Sequence, residues 1–123
     1  MTKNELTLGV IRKRLPMSPS QIIVDPYYIR VMLGDIHVVF IKEFKIIDKN
    51  SKYQRHIYCE NKDKTKVEVP ELKSTWSDVK VVGHEFIIDT EQCEARIDLD
   101  LQIEAVIVHE GNETYLTFPE DGL

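Results

Sequence analysis

The chain has 123 residues, 42% of them hydrophobic and 30% charged, with 5 Gly, 5 Pro and a formal net charge of −5. That is the size and balance of one soluble folded domain, and it excludes collagen-like, linker-like and disordered chains. No apolar run approaches the ~18 residues that a bilayer crossing needs, and Met1-Thr2-Lys3-Asn4-Glu5 lacks the apolar stretch of an export signal, so a cytoplasmic location and no membrane partner are expected.

Taken in chain order, the pattern predicts short strands over residues 6–12 and 21–24 and a longer one over 28–33. Gly34-Asp35 makes a turn, and residues 36–47 form a β-branched, aromatic-rich stretch. Asp48-Lys49-Asn50-Ser51 is a second turn, after which residues 53–60 return. Short strands follow at 66–69, 79–82 and 85–88, with one helical turn at most over 71–76. From Ala95 the odd positions read Ala, Ile, Leu, Leu, Ile, Ala, Ile, while Arg96, Asp98, Asp100, Gln102 and Glu104 fill the even ones. Alternation with period two marks a half-buried strand or two strands joined by a bend. Ile97, Leu99, Leu101, Ile103 and Ile107 are therefore expected to face the core, with Asp98, Asp100 and Glu104 in water. His109 to Glu113 supplies a turn, residues 115–118 return, and Pro119 ends the strand. Pro16, Pro19, Pro26 and Pro70 interrupt any helical period. The fold expected is mainly β, built of antiparallel strands and hairpins in two related halves with little helix.

The halves differ in charge. Residues 1–70 carry 13 Lys+Arg and 8 Asp+Glu; residues 71–123 carry 3 and 13. A basic first β unit (1–70) and an acidic second one (71–123), packed as one compact domain, suit self-association into a homodimer or a partner that reads one face. The halves also look alike. Ile46-Ile47, a polar turn and Tyr58-Cys59-Glu60 lie 60 residues before Val106-Ile107, a turn and Phe118-Pro119-Glu120, which suggests an internal repeat with hairpins at 36–60 and 94–118.

The run Val106-Ile107-Val108-His109-Glu110-Gly111-Asn112-Glu113-Thr114-Tyr115-Leu116-Thr117-Phe118-Pro119 resembles the core of the stage V sporulation protein G (SpoVG) family, small bacterial regulators. In the first half, Val39-Phe40-Ile41-Lys42-Glu43-Phe44-Lys45-Ile46-Ile47-Asp48 resembles the same apolar run leading into a turn, as though two such repeats stood in tandem. The resemblance implies DNA or RNA binding. The second half departs from the family pattern, ending in the acidic Pro119-Glu120-Asp121-Gly122-Leu123, whereas the first keeps the basic Lys62-Asp63-Lys64-Thr65-Lys66. Any nucleic-acid contact carried by the resemblance therefore falls within residues 1–70.

Arg12 with Arg14, and Lys62, Lys64 and Lys66, are cations at alternate positions that reach successive phosphates if extended, with Tyr53, Tyr58 or Trp76 to stack bases. On an acidic strand face, Glu94, Asp98, Asp100 and Glu104 form a ladder that imitates a phosphate backbone or meets a basic protein. His37, His56, His84 and His109 show no metal-ligand spacing, and only Cys59 lies near one of them, so no metal or cofactor is expected. The spacing of Cys59 and Cys93 leaves open whether they pair. No serine sits in a nucleophile elbow, and Glu43-Phe44-Lys45 and Glu71-Leu72-Lys73 are three-residue patterns that charged chains contain by chance. Two functions from different classes follow, neither of them enzymatic. One is a SpoVG-like nucleic-acid-binding regulator; the other is an acidic inhibitor or immunity-type module, bacterial or phage, that binds a basic protein.

Overall fold

The computed structural model describes residues 3–41, 43–59, 68–99, 106–110 and 114–118. It opens with a helix, α1 (Lys3–Arg12), where a strand was expected. Thr7, Leu8 and Ile11 carry the buried side of this helix, a spacing of three and four residues that a short run with only three buried positions does not advertise. Glu5 in the first turn and Arg12 in the last complement the helix dipole. Pro16, which cannot donate a backbone hydrogen bond, follows four residues later.

Ten strands then build two antiparallel sheets. In chain order they are β1 (Gln21–Val24), β2 (Ile29–Leu33), β3 (Ile36–Phe40), β4 (Glu43–Asp48), β5 (Gln54–Tyr58), β6 (Trp76–Val82), β7 (Glu85–Thr90), β8 (Cys93–Asp98), β9 (Val106–Glu110) and β10 (Thr114–Phe118), with a 3-10 turn at Pro70–Lys73 before β6. The first sheet runs β1-β2-β3-β9-β10 and the second β5-β4-β8-β7-β6. Two-residue loops close β2–β3 and β6–β7. Each puts a glycine at its first position, Gly34 at φ 59° and Gly83 at φ 60°, a conformation that L side chains rarely adopt. At the β4–β5 turn the Asp48 carboxylate accepts the backbone N–H groups of Asn50 and Ser51 and the Ser51 hydroxyl. These bonds hold its pKa below the ordinary carboxylate range.

The long hairpins expected at 36–60 and 94–118 are each divided between sheets. Ile36–Phe40 lies in the first sheet and Glu43–Asp48 in the second; Cys93–Asp98 lies in the second and Val106–Glu110 in the first. A chain that crosses between facing sheets reorients its side chains. In β8 the odd residues Ala95 and Ile97 are buried, but in β9 the even residues Val106 and Val108 are, and Ile107 is only half-buried. The expected inward position of Ile107 is thus corrected, while Leu101 and Ile103 lie outside the described residues. Leu99 is half-buried against the core.

Connectivity is the same in both halves. A three-strand meander (β1-β2-β3 or β6-β7-β8) is followed by a hairpin (β4-β5 or β9-β10) that joins the sheet of the other meander. The central pairs, β3 with β9 and β4 with β8, therefore each join the two halves. α1 runs against β6 and β10, and the Pro70–Lys73 turn against β8. Between the sheets lies one core, in which Trp76, Phe40, Phe44 and Phe86 are the largest buried side chains. The Phe40 and Phe44 rings sit 4.8 Å apart across the crossing from β3 to β4. Cys59 and Cys93 are both buried in that core with no disulfide between them, and burial raises the Cys93 pKa.

Candidate functional site

Both arginines nominated from the sequence hold carboxylates. Arg12 Nε donates to the Asp78 carboxylate at 3.2 Å and to the Val79 carbonyl at 3.0 Å, on the outer edge strand β6. Arg14 forms a two-bond fork on Asp35, both at 2.9 Å, and reaches Glu110 at 3.0 Å. Those hydrogen bonds raise the Arg14 pKa and lower that of Asp35. Lys62, Lys64 and Lys66 lie outside the described residues. Of the nominated aromatics, Tyr53 and Tyr58 are exposed, whereas Trp76 is fully buried and donates its indole N–H to Leu72 O at 2.8 Å.

Strand register explains what becomes of the acidic ladder. On the outer face of the second sheet, His56, Lys45, Arg96, Ile87 and Lys80 stand in one cross-strand row. Glu94, Asp89 and Asp78 form the row on one side; Glu85 and Asp98 pair in the row on the other. Like charges directly opposite repel, so the intervening cations set the balance. Arg96 donates to Glu94 at 2.9 Å and to Glu85 at 3.0 Å, which raises its own pKa. Lys49 bonds Asp89, Arg12 bonds Asp78, and His56 lies 3.3 Å from Glu43. Glu94 is thus committed within its own sheet, and Asp98, across the Arg96 row from it, is half-buried opposite Glu85. Asp100 and Glu104 lie outside the described residues.

The outer face of the first sheet is built differently. There Arg30 and Met32 of β2, His37 and Val39 of β3, and Ile107 and His109 of β9 point away from the core. His37 stands directly opposite His109. Arg30 Nη1 lies 3.4 Å from His37 Nδ1, and its guanidinium carbon sits 5.4 Å from the centroid of the Tyr28 ring. Burial, with the neighbouring Arg30 and His37, pushes the His109 pKa below its ordinary value.

Among the described residues, Arg12, Arg14, Arg55 and Arg96 each hold a carboxylate, and Arg30 holds none. Its Nε is buried without a hydrogen-bond partner. Sequence reasoning missed this group because His109 lies more than seventy residues beyond Arg30 and His37 and meets them only through the β3–β9 register. The one visible signal was a polar residue at alternate positions of apolar strands.

The described surface also carries two depressions. One, of about 340 Å³, lies between β1 and the 3-10 turn and is lined by Ile22, Val24, Glu68, Val69, Pro70 and Lys73. The other, of about 180 Å³, lies over Lys45, His56 and Arg96 in the charged lattice of the second sheet. Among the described residues no group of three His, Cys, Asp or Glu is arranged to hold a metal, and no helix is long and apolar enough to cross a membrane. The described residues form a two-sheet antiparallel β protein whose first sheet carries Arg30, His37 and His109 on its outer face. No family model, curated protein or solved structure matches the chain.

Proposed function

We propose that this chain is a non-enzymatic nucleic-acid-binding protein, of the regulator type its SpoVG-like segments imply, and that its contact face is the outer surface of the first sheet. The observation that carries the reading is Arg30, a permanent cation with no carboxylate among the described residues, set beside two histidines and over a tyrosine ring. An anion at this face offsets the cost of a half-buried guanidinium that holds no carboxylate among the described residues, and a phosphate suits it by charge and by accepting from the planar fork of guanidinium donors. Arg12 and Arg14 then serve the fold. The shared connectivity of the two halves supports an internal duplication, a two-repeat chain that plays within itself the part of a dimer. The alternative, an acidic module for a basic protein, draws less support because Glu94 is neutralised by Arg96.

The test is binding of labelled DNA and RNA at two salt concentrations. Phosphate contacts release counterions, so affinity should fall as salt rises, with a log–log slope of about −0.7 to −0.9 per contact. Arg30→Ala should weaken binding, while Arg12→Ala should leave it nearly unchanged. Changing Lys62, Lys64 and Lys66 together to Ala reports whether that segment adds contacts, through a flatter slope. No binding at low salt overturns the reading and favours the protein-binding alternative.

A further inference from the structure

Resting on that reading, we infer that the ligand of the first-sheet face is single-stranded nucleic acid, with its bases unpaired, and not a duplex. The shared chemistry is a run of phosphates with splayed planar bases, from either DNA or RNA.

Three observations lead there. First, the face is a sheet surface whose polar members are planar. Arg30 lies over Tyr28, His37 stands opposite His109, and all four are half-buried, so each keeps surface for a further planar partner. Unstacked bases bind by stacking on aromatic rings and guanidinium planes, which a duplex does not offer along its length. Exposed Tyr27, next to Tyr28 in the β1–β2 turn, extends the aromatic area.

Second, the groove-reading element is committed elsewhere. A duplex is read by a helix or a two-stranded ribbon inserted in the major groove. The α-helix described, α1, packs against β6 and β10. Arg12 at its end and Arg14 just beyond are bonded to Asp78, Asp35 and Glu110.

Third, the charge is small. Among the described residues, one permanent cation and two histidines face a ligand on a chain of net charge −5. Duplex DNA carries one charge per ~1.7 Å of axis, about twice the density of one strand, so long-range repulsion weighs more heavily against it. Stacking suffers no such penalty.

The experiment is fluorescence anisotropy of the full chain with an unstructured DNA oligonucleotide, an RNA of the same sequence, and the DNA annealed to its complement, all at low salt. Single strands should bind at least about tenfold tighter than the duplex, the effect of roughly one stacked base. The DNA and RNA arms separate the two sources. Arg30→Lys keeps the charge but not the plane, so it should lose nearly as much single-strand affinity as Arg30→Ala. Tyr28→Leu, checked for native circular dichroism, should lose affinity while barely changing the salt slope. Equal or tighter duplex binding, or full retention by Arg30→Lys, overturns the single-strand inference and leaves nucleic-acid binding standing. Absence of binding to all three ligands overturns the underlying reading as well.

Discussion

Met17 and Trp76 exchange two backbone hydrogen bonds, from Trp76 N–H to Met17 O at 2.9 Å and from Met17 N–H to Trp76 O at 3.2 Å. This bridge fastens the segment entering β1 to the first residue of β6, and so joins the starts of the two meanders. The Trp76 ring drops into the core and its indole N–H reaches back to Leu72 O in the 3-10 turn. One residue thus ties both halves and the turn between them.

Trp76→Phe should therefore cost about 1–3 kcal/mol, because it strands the buried Leu72 carbonyl. Trp76→Ala should cost about 3–5 kcal/mol through the cavity it leaves. Because Trp76 is the sole tryptophan, unfolding in urea is followed by far-ultraviolet circular dichroism. A loss below about half a kcal/mol for Trp76→Ala would mean that the ring does not occupy the core.

Strand β8 separates packing from charge. Ile97 is fully buried, and Ile97→Ala should cost about 2–5 kcal/mol. Arg96, Glu94 and Glu85 on the opposite face are each about one-third exposed (32%, 32% and 36%), so solvent screens their network. Arg96→Gln and Glu94→Gln should each fall within about 1 kcal/mol of the parent. If the charge changes prove costlier than Ile97→Ala, the strand faces the other way.

How far the sequence foretells this arrangement follows from the range of each interaction. Strands β1, β2, β5, β7 and β10 fall within a residue or two of their expected positions, because alternation and turn residues are local signals. A helix forms over Lys3–Arg12 where the local pattern predicts a strand over 6–12, since Thr7, Leu8 and Ile11 bury only one short stripe and the partner strands β6 and β10 come more than sixty residues later. The switches of sheet between Phe40 and Glu43 and between Asp98 and Val106 are likewise invisible locally, because no glycine or proline marks either stretch. The candidate site suffers most. The partners of Arg12, Asp78 and Val79, come from β6, and His109 comes opposite His37 only through β9, so neither grouping is local in the sequence.

Arg12 guards an edge. β6 is an outer strand, and an open edge invites pairing with another chain. The Arg12 guanidinium covers the Val79 carbonyl, and Met17 covers Trp76. Exposed Val81 and Val82 lie just beyond. Arg12→Ala should cost little stability, within about 1 kcal/mol, because the ion pair with Asp78 is half exposed. It should instead promote self-association, seen as a concentration-dependent rise in sedimentation coefficient that Val82→Lys reverses. Unchanged sedimentation at high concentration would remove the edge-guarding role.

His109 gives the first sheet a pH signature. Its pKa in the folded chain is lowered, chiefly by burial, with Arg30 and His37 adding to the effect, from an ordinary value of 6.5. The unfolded chain therefore binds a proton at a pH where the folded chain does not. Stability from this group is complete above about pH 6.5, begins to fall as pH drops through that value, and reaches its full loss below the lower folded pKa. Asp35 and Asp48, whose pKa values are also lowered, act in a separate window. Their contribution is present above the ordinary 3.8 and is lost as pH falls through their lower folded values. Urea midpoints should thus decline in two steps, and His109→Gln should flatten the upper one and leave the lower intact. An anion bound beside Arg30 and His109 favours the charged imidazole, so single-stranded ligand should raise the folded-state His109 pKa, shrink the upper step, and be held more tightly at about pH 6 than at about pH 8. The His109 ring signals, followed by NMR with and without ligand, check both statements. An upper step that survives His109→Gln unchanged would assign it to another group, and a His109 titration indifferent to ligand would move the anion away from this face.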